Sequence, residues 1–503
     1  MPVAPIMNRL DRRSFLKTSI LTAASFGLFP AFGADKDAKR KRRGERKAVA
    51  SNATNANGDI RFAVVGFGGR GMSHIEGLRE VKGTRMVALC DVDQTTLDRE
   101  VKKYRDLGEQ IESYTDIRKL IENKNIDAVS FATPNHWHAL GAIWAMQAGK
   151  DVYVEKPVSH NVWEGRRTVE VARQLNRIVQ TGTQWRSDNG IREGIAYIRE
   201  GHIGKILRAR GFCYKRRPSL GKVDGPQPIP PGIDYDLWCG PAPKEPLMRK
   251  NLQYDWHWVW PTGNGDLGNQ GAHQMDMCRC ALGENALSPR VLSVGGRLGY
   301  VDDGTTPNTM IIFHDYPTAP LIFEVRGLPS KTGSEEMDRY HGVGVGAIID
   351  CEGGSLVTSG YAGSTVLDPK GAELKKFGGK NSHFANFISA VRSRKVSDLN
   401  ADILEGHLSA GLCHTGNISY RLGEKQSPEA LGEAVKANKE LADALGRMEE
   451  HLAANKVDLK KPLATLGAVL KMDPQTERFV DNPKADQMLT RDYRKPFVVP
   501  AKI

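Results

Sequence analysis

The sequence predicts an α/β protein that opens with a doubly wound parallel sheet and continues into a second, strand-rich domain. Three observations carry this. A β-branched run, Ile60–Val65, leads straight into Gly66-Phe67-Gly68-Gly69-Arg70-Gly71. Short apolar runs then alternate with helical segments as far as Thr181, the order that builds a parallel sheet with helices on both faces. Further on, apolar runs follow one another between Val291 and Val357, and long helical segments come after them.

Composition bounds the rest. The 503 residues are 40% hydrophobic and 26% charged, which excludes a largely disordered or collagen-like chain. The length allows two or three domains. The formal charge of +12 is concentrated at the start: Met1–Asp59 holds 12 Lys and Arg against 5 acids, leaving +5 on the other 444 residues. A body this mildly basic excludes nucleic acid as the expected partner.

Residues 1–34 read as an address. Asp11-Arg12-Arg13-Ser14-Phe15-Leu16-Lys17 resembles the twin-arginine export signal, with Asp where Ser or Thr is usual. The apolar run Ile20–Phe32 ends in Ala31-Phe32-Gly33-Ala34, small residues of the kind a signal peptidase needs. The run is too short to span ~30 Å of hydrocarbon, so a signal peptide is expected and no stable membrane span. The expected location is periplasmic or otherwise extracytoplasmic, reached in the folded state. Residues 35–59 read as a basic disordered linker. The seven cysteines are odd in number and scattered, so no disulfide framework is expected, and Cys278-x-Cys280 reads as packing.

From Ile60 the elements follow in order. In the glycine-rich turn Gly66 permits the tight bend, Gly68 lets backbone approach a pyrophosphate, and Gly71 lets the next helix pack closely. A second apolar run, Met86–Cys90, ends at Asp91, 20 residues past Gly71, where an acid accepts hydrogen bonds from ribose hydroxyls. A carboxylate there repels a 2′-phosphate, so NAD is expected as cofactor, with NADP less favoured. Helices are expected at 116–123, 139–148 and 162–177, and strands at 126–132, 151–154 and 178–181. Their C-terminal loops fall on one sheet edge, where ligands bind. Those loops are Thr133-Pro134-Asn135-His136-Trp137-His138, Glu155-Lys156-Pro157 and Gly182-Thr183-Gln184-Trp185-Arg186.

The glycine motif, Thr133-Pro134-Asn135 with His138, Ala148-Gly149-Lys150 and above all Glu155-Lys156-Pro157 resemble the Gfo/Idh/MocA oxidoreductases. The resemblance runs from Ile60 to about Gly423. It implies a Rossmann-like NAD-binding domain, 60–181, and an α/β substrate and oligomerisation domain, 182–425. The latter carries a large open, mostly antiparallel sheet that commonly packs against another subunit, so a homo-oligomer is implied. Its strands would be 291–299, 308–314, 321–326, 348–351 and 355–357, and its helices 381–391 and 402–421. Cofactor contacts would come from Gly66, Gly68, Gly69, Arg70, Gly71, Asp91, Thr133, Pro134, Asn135, His138, Glu155 and Lys156.

Oxidising a carbinol needs its hydroxyl proton removed as the hydride leaves, and a cation beside the developing oxyanion. Lys156, which the resemblance sets at the substrate, suits both tasks once its pKa is lowered by burial. In Asp266-Leu267-Gly268-Asn269-Gln270-Gly271-Ala272-His273, His273 matches the family's acid/base His. Asn269 stands where the family has Asp. Residues four apart share a helix face, so both would reach one substrate, with Asn269 binding and Lys156 and His273 doing acid/base work. Asp276 reads as structural. His257, His273 and Asp276 lack metal-site spacing, and no metal is expected.

Tyr254-Asp255-Trp256-His257-Trp258-Val259-Trp260 fits a platform for sugar rings, offering Trp256 and His257, and equally a satellite core under a long loop. The proline-rich stretch 216–246 reads as an ordered loop over the site mouth. Gln184, Trp185 and Arg186 are candidates for the pocket wall by family analogy. Residues 426–503 read as a helix, 427–455, and a tail without assigned role. The leading functional expectation is an NAD-dependent oxidoreductase acting on a hydroxyl of a sugar, cyclitol or glycoside. A redox-neutral NAD-dependent glycoside hydrolase and a non-catalytic secreted binding protein are the alternatives. An exported enzyme would have to hold its NAD tightly, because no NAD pool is maintained outside the cytoplasm.

Overall fold

Six short strands, buried along most of their length except for the edge strand β3, pair in parallel in the order β3-β2-β1-β4-β5-β6: β1 (Ile60–Val65), β2 (Thr84–Cys90), β3 (Glu112–Tyr114), β4 (Ala128–Phe131), β5 (Asp151–Val154) and β6 (Val179–Thr181). The computed structural model describes residues 58–502. The signal-peptide reading of 1–34 and nearly all of the linker 35–59 lie outside them. Helices α1 (Arg70–Arg79), α2 (Gln94–Asp106), α3 (Ile117–Glu122), α4 (His138–Gln147) and α5 (Val162–Gln174) connect the strands. Side-chain caps from Asp93, Asp116 and Asn161 start α2, α3 and α5. The strand order reverses between β1 and β4, whose carboxyl ends carry Gly66 and Thr133, and a crevice opens at such a switch point.

Helix α6 (Asn189–Arg199) leads into a 12-stranded sheet. Its main strands are β7 (Ile206–Tyr214), β8 (Arg290–Gly296), β9 (Thr309–His314), β10 (Leu321–Arg326), β11 (Val345–Cys351), β12 (Gly354–Ser359), β13 (Ser364–Leu367) and β14 (Glu373–Phe377). They run β14-β13-β12-β11-β7-β10-β9-β8, and only β7–β10 pairs in parallel. The central strand β7 was not foreseen. Its sequence places Arg208 and Arg210 where a buried strand would be apolar, and the fold answers both with Asp350 and Glu440. The other face of β7, Ala209 and Cys213, joins the main core. Helices α7 (Tyr235–Cys239), α8 (Ala272–Leu282), α9 (His383–Ser393) and α10 (Ile403–Arg421) follow in chain order; α8 packs on the inner face of the sheet, and α10 packs on both α8 and α5.

Residues 426–503 depart from a single helix and tail. Helices α11 (Pro428–Val435) and α12 (Lys439–Ala454) are separated by a break at which Asn438 caps α12 through the Glu440 and Leu441 amides. Their Leu431, Leu441, Leu445 and Met448 cover Val294, Ile311, Phe313 and Ile322 on the outer sheet face. That stretch of the face the resemblance left for another subunit is therefore covered by the chain itself. Short strands β15 (Glu424–Lys425), β16 (Thr465–Leu466), β17 (Leu470–Asp473) and β18 (Arg478–Phe479) extend the edge beside β8. The last segment returns to the first domain, where Phe497 packs edge-on against Trp137 at 5.5 Å, while Arg494 pairs with Asp236 of the 216–246 loop at 2.8 Å.

Candidate active site

A cleft of about 500 Å3 runs along the carboxyl edge of the parallel sheet, from Asp91, Asp93 and Asp116 at one end to Lys156, His257 and Asn269 at the other. The glycine turn forms its floor. Gly66 has φ +76°, and a Cβ there would sit 2.9 Å from the Thr133 backbone; a Cβ on Gly71 would fall 2.0 Å from the Gly66 carbonyl oxygen. At Gly68 and Gly69 a Cβ would meet nothing within 4 Å. Two glycines thus shape the turn, and two keep it open toward the cleft. Helix α1 begins at Gly69 without a side-chain cap, which leaves its N-terminal end suited to an anion.

The Asp91 carboxylate accepts 3.0 Å hydrogen bonds from the Phe67 and Asp93 amides, so it ties the glycine turn to β2 while it faces the cleft. Burial raises its pKa, and those amides work against the rise. The open glycines, the uncapped helix end and an acid at the ribose position fit a dinucleotide. Thr133, Pro134 and His138 also line the cleft. Asn135 does not: its amide donates to Asn264 Oδ1 at 2.6 Å, behind the lining.

Glu155 lies under the cleft's inner end. Its Oε1 accepts from Arg70, His74 Nε2 and Gln184 at 3.0, 3.1 and 2.8 Å. Burial opposes its charge, yet His74 and Arg70 hold it well below the usual carboxylate range. Next to it Lys156 donates to the Asn269 carbonyl at 2.8 Å. Burial lowers the ammonium's pKa, Glu155 counters, and Arg70 and Arg217 add to the lowering. The site thus holds a fixed carboxylate beside a buried ammonium.

Residues 267–271 form a π-helical turn before α8, and this redirects the cluster that contains Asn269 and His273. The expectation of one shared face presumed a regular α-helix; a π turn rotates successive side chains differently. Asn269 lines the cleft, with its amide 3.3 Å from Asp266 Oδ1. His273 does not line it. Its ring lies 4.8 Å from that of Tyr361, its Nδ1 is buried without a hydrogen-bond partner, and burial with Lys156 lowers its pKa to about 3.

Other wall candidates also sit elsewhere. Trp185 is 1% exposed and belongs to the core. Arg186 is drawn away by Asp276, at 2.7 and 2.8 Å, and by Glu405 at 2.9 Å. Asp276 is held by Arg186, Arg279 and Ser409, as its structural reading expects. Gln184 supports Glu155 and Tyr153 from below. The aromatic stretch divides: Trp256 and His257 stack at 3.5 Å and line the cleft, while Trp258 is buried beneath them. All seven cysteines are free thiols. Among the described residues no group of three His, Cys, Asp or Glu could hold a metal.

Sequence reasoning missed two features of the site. Arg217 and Asp266 form a buried pair at 2.6 Å next to Lys156, and Arg217 also donates to the Tyr254 hydroxyl at 3.1 Å. The aspartate in Gly265-Asp266-Leu267 was the available signal. The proline-rich loop lies over the cleft as expected, but its grip on the first domain was not legible. Gly232 O accepts from Gln94 N at 2.9 Å, Asp234 N donates to Val92 O at 3.2 Å, and Leu237 and Trp238 line the cleft.

Residues 60–183 match the family model described as the Gfo/Idh/MocA oxidoreductase family's NAD-binding Rossmann fold, and residues 202–313 match its C-terminal alpha/beta domain. Each stretch is thus similar to the corresponding domain of the Gfo/Idh/MocA oxidoreductases. The cofactor is NAD. Among curated proteins the chain is similar to a glycosyl hydrolase family 109 protein of Shewanella sp. (strain ANA-3), 26% identical over 227 residues, which are 43% of this chain and 49% of that protein. A glycosyl hydrolase family 109 protein of Solibacter usitatus is 30% identical over 178 residues, 33% of this chain and 38% of that one. The chain spans about half the length of the first of these relatives, and less of the second. The fold is similar to that of the WlbA dehydrogenase from Bordetella pertussis in complex with NADH and UDP-GlcNAcA. There the TM-score is 0.53 at 17% identity, over 71% of this chain and 96% of that one. The WlbA dehydrogenase from Chromobacterium violaceum gives a TM-score of 0.54 at 18% identity, over 72% and 94%.

Proposed function

We propose that this oxidoreductase acts on a hydroxyl-bearing carbon of a sugar, cyclitol or glycoside. One observation carries the reading: a single cleft joins the glycine turn and Asp91 to Lys156, Asn269 and a Trp256–His257 stack. NAD, when bound, supplies the acceptor for a hydride. Gly66, Gly68, Gly69, Arg70 and Asp91 would hold it. Lys156 would steady the substrate oxygen, with its charge kept beside the Asn269 carbonyl. The flat indole of Trp256 offers a surface for the C–H face of a sugar ring, and Asn269 can bond a hydroxyl.

The relatives named glycosyl hydrolase family 109 proteins favour a second reading, redox-neutral glycoside hydrolysis through the same residues. We also propose the extracytoplasmic location and a tightly retained NAD, for which the loop bearing Leu237 and Trp238 supplies a cover. A homo-oligomer built through the outer sheet face would have to form around α11 and α12. Light scattering on the purified chain decides that point.

The test of the main reading is to denature the purified protein and assay released dinucleotide. A panel of free hexoses, inositols and p-nitrophenyl glycosides is then screened for a change in reduced-nicotinamide absorbance or for nitrophenol release. Near one NAD per chain and a carbonyl product support the oxidoreductase. A freed monosaccharide with no net change in NAD supports the hydrolase. Protein that turns over none of these compounds defeats both.

A further inference from the structure

Two histidines line the cleft, His138 and His257. His138 is spent on the fold: its Nδ1 lies 2.6 Å from the Pro157 carbonyl oxygen and its Nε2 2.8 Å from that of Thr133. His257 is different. Its Nδ1 lies 2.5 Å from the Tyr254 carbonyl oxygen. A carbonyl oxygen only accepts, so Nδ1 must carry the proton. In a neutral imidazole the lone pair is then left on Nε2. Tyr254 holds a left-handed backbone conformation, φ +65°, and the Trp256 ring stacks on the imidazole with 20° between planes. The ring is thereby fixed in one tautomer and one orientation, which is what a general base requires.

We propose that His257 Nε2 is the proton acceptor of the reaction, the role the sequence gave to His273. The inference rests on the carbohydrate-oxidising reading above. The substrate O–H bond breaks and its proton goes to Nε2. The neighbouring C–H bond breaks with its electron pair passing as hydride to the oxidised dinucleotide, and a C=O bond forms. The Lys156 ammonium steadies the oxygen throughout. The imidazolium keeps its Nδ1–H on the Tyr254 carbonyl and returns the new proton to water past Tyr254, whose side chain is 56% exposed.

The first test needs no substrate. Nitrogen-15 imidazole NMR on the purified holoprotein, with His257→Gln assigning the signal, reads the tautomer. Diethyl pyrocarbonate followed by peptide mass spectrometry reads which histidines carry a free and reachable nitrogen. A protonated Nδ1 and unprotonated Nε2 at His257, with carbethoxylation there in preference to His138 and His273, is expected. A proton on Nε2, or labelling that spares His257, overturns the assignment. On a compound from the panel that the wild type turns over, His257→Gln should lower kcat by roughly 10²–10⁴ with bound NAD and Tm unchanged. Burial, with Lys156, Arg217 and His138 nearby, lowers the His257 pKa to about 3 against the Tyr254 hydrogen bond, so wild-type kcat should fall only as pH drops toward 3, and the variant's remaining rate should lack that fall. A kcat within threefold of wild type, while His273→Gln falls, returns the role to His273 and ends the proposal. If the wild type turns over nothing, the carbohydrate reading fails, while the tautomer and labelling results still decide whether a free base faces the cleft.

Discussion

Two alanine substitutions in one turn should separate folding from cofactor binding. At Gly71 the new Cβ would fall 2.0 Å from the Gly66 carbonyl oxygen and 2.9 Å from its carbon. That oxygen belongs to backbone and would have to retreat by about 1.4 Å to reach ordinary contact at 3.4 Å. It has little room, because the Thr133 backbone lies so near Gly66 that a Cβ on Gly66 would come within 2.9 Å of it. Overpacking of this kind costs about 1–3 kcal/mol. On the scale of about 2–4 °C per kcal/mol for larger domains, that is a fall in Tm of roughly 2–12 °C. At Gly68 a Cβ meets nothing within 4 Å, so Gly68→Ala should leave the Tm of cofactor-free protein unchanged. Its methyl would instead occupy the floor of the cleft and weaken NAD by about tenfold or more, roughly 1.4 kcal/mol. Differential scanning calorimetry of NAD-stripped protein and NAD titration by calorimetry read the two effects. Full stability and full NAD content in Gly71→Ala, or unfolding in Gly68→Ala, would refute the division of labour drawn for the turn.

Asp91 should make NADP a poor ligand: a phosphate charge ~4 Å from the carboxylate costs about 4 kcal/mol at an effective dielectric of ~20, close to three orders of magnitude in affinity. Equal titration curves for the two dinucleotides would contradict it. Lys156→Ala should keep NAD content and lower kcat by roughly 10²–10⁴ on any confirmed substrate, read by steady-state kinetics. Burial works against the Glu477 carboxylate, but His407 and Arg166 hold it down at about 2, against an ordinary value of 4.5. The stability it gives is therefore present above pH 4.5 and lost as pH falls toward 2. Glu477→Gln should be less stable than wild type near pH 6, with the gap closing as pH drops through that window, followed by denaturant titration at each pH. Arg494→Ala breaks the pair with Asp236, next to Leu237 and Trp238 in the cleft wall, and should speed NAD release while leaving kcat at saturating NAD unchanged. Stopped-flow displacement of bound NADH measures that release.

The parallel half of the fold was legible because its signals are local. A β-branched run, a glycine turn whose spacing has a steric reason, and an acid at the end of the next strand each act within a few residues of themselves. Glu155 and Lys156 were legible for the same reason, as a short loop at the end of β5. The second sheet was legible only where its strands are apolar. Strand β7 stayed hidden because Arg208 and Arg210 make sense only once Asp350 and Glu440, more than 130 residues away, stand beside them. Tertiary structure alone decided which histidine faces the cleft. The sequence spacing of Asn269 and His273 assumed 3.6 residues per turn, and a π turn at 267–271 removed that assumption. His257 gained its place through a left-handed Tyr254 and a stacked Trp256, contacts that no periodicity encodes. The cover over the cleft and the tail that braces it come from residues 216–246 and 489–499. Such segments have no period to read, because their hydrogen bonds and ion pairs are made to partners far along the chain rather than to their own neighbours.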